Sequence, residues 1–165
     1  ADMRDLADEQ EARFLLGRVP AAEAVRTLED RLRRWLRDFP ARRDLYLAGV
    51  ARAARVLARD RSANEKEISA LYREGLENCA GDMAEFRGLL ADYYATVKGD
   101  ETLERRFLDD AERTFRRKVD LPAAEFFEMT EELYVYFRRC GQGQRGLRLR
   151  KEGQKAKEGA EKGSK

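Results

Sequence analysis

Arg52, Arg55 and Arg59 recur at spacings of three and four, which on a helix gathers their guanidinium groups on one face. Arginine offers a planar fork of donors that matches carboxylates and phosphates. The triad therefore reads as a clamp for an acidic peptide, a C-terminal carboxylate or a phosphate. The competing reading is a solvated face paired with nearby acids. A second cationic set comprises Arg145, Arg148, Arg150, Lys151, Lys155 and Lys157. It suits the phosphate backbone of RNA or DNA, although it lacks the interleaved aromatics that stack on single-stranded bases. The competing reading there is a solubilising tail.

Catalytic chemistry has less to work with. The chain contains no His, which removes the commonest general base, the commonest zinc ligand and every Ser-His or Cys-His pair. Glu101 and Glu104 with Glu125 and Glu128, plus Asp109 and Asp110, are spaced to hold Mg²⁺ between facing helices. That would make a nucleotide hydrolase, but the same E-x-x-E spacing recurs at Glu74 and Glu77 with no obvious role. Cys79 and Cys140 form no C-x-x-C and read as free thiols in the cytoplasm or another reducing compartment. No Gly-rich loop follows a strand. Binding without catalysis, with no cofactor and no metal, is the expectation.

The elements that must position these residues are helical. Ala, Leu, Glu and Arg are abundant, Val, Ile and Thr are sparse, and charged residues make up 40 % of the chain. This is the composition of long, charge-decorated helices. No run of about 20 apolar residues is present, so no membrane span is expected. Turn signals separate seven segments with helical periodicity. The first runs through Leu6, Phe14 and Leu15. The second carries Val25, Leu28, Leu32 and Trp35, the third Tyr46, Val50, Ala53 and Leu57, and the fourth Ile68, Leu71, Tyr72 and Leu76. The fifth carries Met83, Phe86, Leu90, Tyr93 and Val97, and the sixth Leu103, Phe107, Leu108, Ala111 and Phe115. The seventh is the most aromatic, with Phe126, Phe127, Tyr134, Tyr136 and Phe137. Ser62, Asp82 and Asp100 are N-cap candidates. Small residues form a second stripe on the third segment (Ala51, Ala54, Ala58) and on the fifth (Ala84, Gly88, Ala91, Ala95). Both segments are expected to be sandwiched between neighbours, Gly88 for close packing.

Within these segments, Phe86-x-x-Leu89-Leu90-x-x-Tyr93 resembles the first helix of a tetratricopeptide repeat. Lys98-Gly99-Asp100 looks like the turn that follows, and Leu108 and Ala111 have the spacing of the second helix. Ile68, Tyr72 and Gly75 repeat that spacing one helix pair earlier, with Tyr72 and Leu108 separated by 36 residues. The match covers about residues 64–122 and departs from the family at Leu90, at Glu104 and in a longer turn. It is similar also to the half-a-tetratricopeptide variant of RNA-processing scaffolds. The resemblance implies peptide or protein binding in a concave groove.

Residues 1–139 are thus expected to form a single all-α domain of about seven antiparallel helices, three hairpins plus a terminal helix. Residues 138–165 carry ten Lys or Arg against three Glu, a net +7, so the rest of the chain is left at −5. Residues 140–165 are Gly-rich, with Leu147 and Leu149 their only large apolar side chains, and a flexible basic tail is expected. The foremost function is a non-enzymatic interaction module or scaffold for an acidic protein or peptide, bound through Arg52, Arg55 and Arg59. Phe127, Tyr134 and Tyr136 offer a further partner surface or a homodimer contact. The alternatives are an RNA- or DNA-associated protein anchored by its tail and, behind it, the Mg²⁺-dependent nucleotide hydrolase.

Overall fold

The computed structural model describes residues 13–14, 17–79, 83–118 and 120–163. Among them it is all-helical, with seven α-helices, two short 3-10 turns and no strand. Contacts divide the chain into two compact units, one up to Lys98 and one from Gly99. The boundary falls inside the 64–122 stretch in which a tetratricopeptide-like repeat was expected. The first expected segment lies almost wholly outside the described residues, as does the Asp82 cap.

The first unit contains α1 (Ala21–Asp38), α2 (Arg43–Leu57), α3 (Glu65–Glu77) and α4 (Met83–Val97). Helix α1 buries Ala24, Val25, Leu28 and Leu32 along one stripe. It stops at Phe39, which lies outside the helical region (φ −134°, ψ 65°) and precedes Pro40, because the residue before a proline is driven out of that region. Helix α2 packs against α1, α3 and α4. Its small stripe explains how: Ala51 and Ala54 are buried, as expected. Gly49 lets Leu32 approach, and a Cβ at Gly75 would stand 2.8 Å from a Leu89 methyl and 3.2 Å from Val50. Tyr72 stacks on Tyr93 with ring centroids 4.3 Å apart, and its hydroxyl meets the Asp92 carboxylate at 3.0 Å and Thr96 Oγ1 at 2.8 Å. Asn64, not Ser62, occupies the N-cap position of α3, and its amide is turned inward to donate to the Leu57 carbonyl.

The expectation for α4 fails at its second stripe. Ala84, Gly88, Ala91 and Ala95 are exposed, and a Cβ at Gly88 would meet nothing within 4 Å. Alanine there reflects helix propensity, not a packing partner.

The second unit contains α5 (Glu101–Arg116), α6 (Ala123–Arg139) and α7 (Gly143–Gly163). Asp100 caps α5 by accepting the Leu103 N–H at 3.1 Å, while Glu104 reaches back to the Gly99 N–H at 3.2 Å. Helix α6 ends with Gly141 in the left-handed region (φ +76°). The Gln142 N–H returns to the Phe137 carbonyl and the Gly141 N–H to that of Arg138, a Schellman closure that turns the chain back.

That closure leads into α7, where a flexible tail was expected. The glycines are the reason. Gly146 and Gly153 are buried with Leu149 on the face toward α6. A Cβ at Gly153 would stand 1.8 Å from Thr130 Oγ1, and one at Gly146 would stand 2.8 Å from Phe137 Cβ. The α7 backbone thus lies directly on α6 side chains, where only glycine fits. Late residues of one helix face early residues of the other: Phe127 lies under Lys157, Thr130 under Gly153, and Phe137 beside Gly146 and Arg145. This is a tight helical hairpin.

Candidate interaction site

Helix α2 is gripped by three neighbours, which fixes the direction of its remaining side. Arg52, Arg55 and Arg59 stand there around an open depression of about 350 Å³ with buried Val56 among its lining. The sequence spacing guaranteed a shared helix face; the depression is what the packing adds. Arg55 and Arg59 are exposed and Arg52 is half-buried. Arg55 Nε donates to the Ala51 carbonyl of its own helix at 3.3 Å, and the Arg55 side chain has no ion pair among the described residues. The site therefore offers guanidinium charge above a small apolar floor, which suits a carboxylate or phosphoryl group carried on a chain.

A second cluster joins α1 to α3, and the sequence reading missed it. Arg33 of α1 forks onto Glu74 of α3, with Nη2 to Oε2 at 2.9 Å and Nε to Oε1. It also reaches Asp30 at 3.2 Å and Glu29 at 3.4 Å. Burial and the adjacent Glu74 carboxylate push the Glu29 carboxyl up to about 7, while Arg33 pulls it the other way. The Asn78 amide donates to the Tyr46 hydroxyl and to the Glu74 carbonyl. Burial, with Glu74 nearby, raises the Tyr46 phenol. Glu29 and Arg33 are visible as a same-helix pair, but nothing local announces Glu74, 41 residues beyond Arg33. An open hollow of about 380 Å³ lies over the cluster.

The six cations proposed for nucleic acid separate into two sets. Arg145 is tied to Asp109 at 2.8 Å and Glu112 at 3.1 Å. Burial would raise the Glu112 carboxyl, but hydrogen bonds and charge from Arg116 and Arg145 outweigh it and hold it below its usual value. Arg150 pairs with Glu131 at 2.8 Å and lies over the Tyr134 ring, and Lys157 sits 4.4 Å above Phe127. These three fasten α7 down. Arg148, Lys151 and Lys155 are exposed.

The same helix lies over part of the expected aromatic partner surface, where Phe127 and Tyr134 remain half-exposed. Phe127 and Tyr134 lie beneath α7, and Tyr136 is buried edge-on against Phe107 of α5 at 5.2 Å. The excess of aromatic residues on α6 serves contacts with α5 and α7. The carboxylates considered for Mg²⁺ are dispersed. Glu101 pairs with Arg105, Asp109 with Arg145, and Glu104 with the Gly99 amide. Among the described residues no three acids, cysteines or histidines converge to hold a metal ion. Cys140 lies near Glu104, and burial first, then that carboxylate, push its thiol up to about 11. No helix among the described residues is long and apolar enough to cross a membrane.

No family profile, curated protein or solved structure matches this chain.

Proposed function

We propose that the protein is a non-enzymatic interaction module that receives an acidic or phosphorylated segment of a partner protein at Arg52, Arg55 and Arg59. The observation that carries this reading is the depression of about 350 Å³ that the three arginines share, with Val56 in its lining. A carboxylate or phosphoryl group would accept the guanidinium forks, and a neighbouring apolar side chain would rest on Val56. On this reading the helices act as an array of antiparallel hairpins of the tetratricopeptide kind, whose purpose is to hold α2 and its arginines rigid.

Arg55→Glu is the cleanest test, because Arg55 has no ion pair to lose within the described residues. Fluorescein-labelled peptides with clustered glutamates or a phosphoserine serve as probes in an anisotropy titration. The wild type should bind at least one of them, and R55E should lose at least about tenfold, the equivalent of one charge-assisted contact. An unchanged melting temperature with undiminished binding would remove the clamp. The double variant R52E/R59E should abolish binding altogether.

A further inference from the structure

Helix α7 turns one face to α6 through Gly146, Leu149 and Gly153. With 3.6 residues per turn, Arg148, Lys151, Lys155 and Lys162 fall on the opposite side of the same helix. All four are exposed, and none of their side chains has an ion pair or hydrogen bond among the described residues. At the α-helical rise they form a straight stripe about 21 Å long. Glu158 borders the stripe between Lys155 and Lys162, and Glu152 lies off it, held by Arg116 at 2.9 Å. The stripe differs from the cationic set expected of a flexible tail. It gains Lys162 and loses Arg145, Arg150 and Lys157, which hold α7 in place.

We infer that Arg148, Lys151, Lys155 and Lys162 form a backbone-binding face for duplex nucleic acid, contacting phosphates without reading sequence. Three features select that partner. A helix that lies on a membrane needs a row of apolar side chains on its outer face, and that of α7 has no fully exposed one, with half-buried Leu147 alone at its border. A protein interface draws most of its energy from a few anchors, chiefly Trp, Tyr and Arg, and is depleted in Lys, whereas this stripe is three lysines and one arginine. Single strands are held by stacking on aromatics, whereas phosphate contact with a duplex requires only positioned cations. Packing against α6 supplies the rigidity that keeps the cations in line. This face belongs to the second unit and does not depend on the arginine depression of the first.

The test uses the whole chain with short labelled DNA and RNA duplexes of random sequence, titrated at several salt concentrations. Four phosphate contacts predict a slope of log K against log salt of about −3.6. Raising salt from about 50 to about 200 mM should then cost about two orders of magnitude in affinity. Lys151→Glu with Lys155→Glu should at least halve the slope and leave the melting curve unchanged, since neither side chain packs. Glu158→Gln should tighten binding. Arg145→Ala with Arg150→Ala should lower the melting temperature and change the slope far less than the Lys151/Lys155 pair. A slope near zero, or one indifferent to K151E/K155E, would overturn the inference. So would a slope abolished by the Arg145/Arg150 pair alone, or phosphatidylserine vesicles retained as tightly as the duplexes.

Discussion

Replacing Gly153 by Ala sets two effects against each other. In an exposed helix interior the change stabilises by about 1 kcal/mol, because Gly loses more backbone freedom on folding. At 153 the new Cβ would stand 1.8 Å from Thr130 Oγ1 and 2.9 Å from Thr130 Cβ. Thr130 has little room to yield. It is fully buried, its hydroxyl donates to the Phe127 carbonyl at 2.8 Å, and β-branching limits its rotamers. Helices α6 and α7 must therefore separate, which costs about 1–3 kcal/mol in a packed interface. The closeness of the contact puts the cost toward the upper end, so the net effect should be a loss of about 1–2 kcal/mol. In a unit of this size that is a fall of about 7–14 °C in melting temperature. Urea and thermal melts followed by far-UV circular dichroism read it directly. Gly159→Ala, with nothing within 4 Å of its Cβ, is the control and should be neutral or slightly stabilising. Thr130→Ala in the G153A background should recover part of the loss, a coupling of at least about 0.5 kcal/mol. If G153A instead raised the midpoint as G159A does, α7 would not be packed on α6 at Thr130.

Gly88→Ala should stabilise the first unit by about 0.5–1 kcal/mol, since its helix face is open; a urea melt showing a loss would mean that something covers that face. Asp100→Ala should cost about 1 kcal/mol through the lost cap on the Leu103 amide, measurable as faster amide exchange in the first turn of α5. Glu29 gives a pH dependence with a definite sign. Its carboxyl is raised to about 7 in the folded protein from an ordinary 4.5, so its stabilising contribution is complete below about 4.5 and is lost as pH rises through 7. The shift sets a ceiling of about 3 kcal/mol, reduced to about 1–2 by solvent screening at the edge of the cluster. With no His in the chain, few other side chains titrate in that window. Melts of the wild type between pH 5 and pH 8 should therefore show a decline that Glu29→Gln flattens, and parallel curves would contradict the assignment.

Much of the fold was legible because six of the segments follow helical periodicity. Tyr46, Val50 and Leu57, or Leu103, Phe107 and Phe115, mark their buried faces directly, and all are buried. Asp100 marks a helix start because its side chain can accept a first-turn amide, and it does so from Leu103. Helix α7 was hidden because its buried face is built from two glycines and one leucine. Periodicity counts apolar side chains and cannot count the side chains of a neighbour that fill a notch. The excess of aromatics on α6 was the one indirect sign that something covered it. Gly88 shows the opposite error: a mid-helix glycine suggested close packing, and its surroundings are open. Arg52, Arg55 and Arg59 were legible as a helix face, since spacing alone fixes that, while the depression depends on how α2 is seated among its neighbours. Glu29 and Glu74 meet only through tertiary packing of α1 on α3, so no local pattern could pair them.

The central claim is that the arginine depression receives an anionic segment of a partner. Its most direct test is a two-dimensional ¹H–¹⁵N NMR titration of the labelled whole chain with a phosphoserine peptide and, separately, with a glutamate-rich one. The account predicts that the largest shifts fall on Arg52, Arg55, Val56 and Arg59, saturate with peptide and vanish in R55E. Saturable shifts centred elsewhere, or none at these four residues with either peptide, would contradict it.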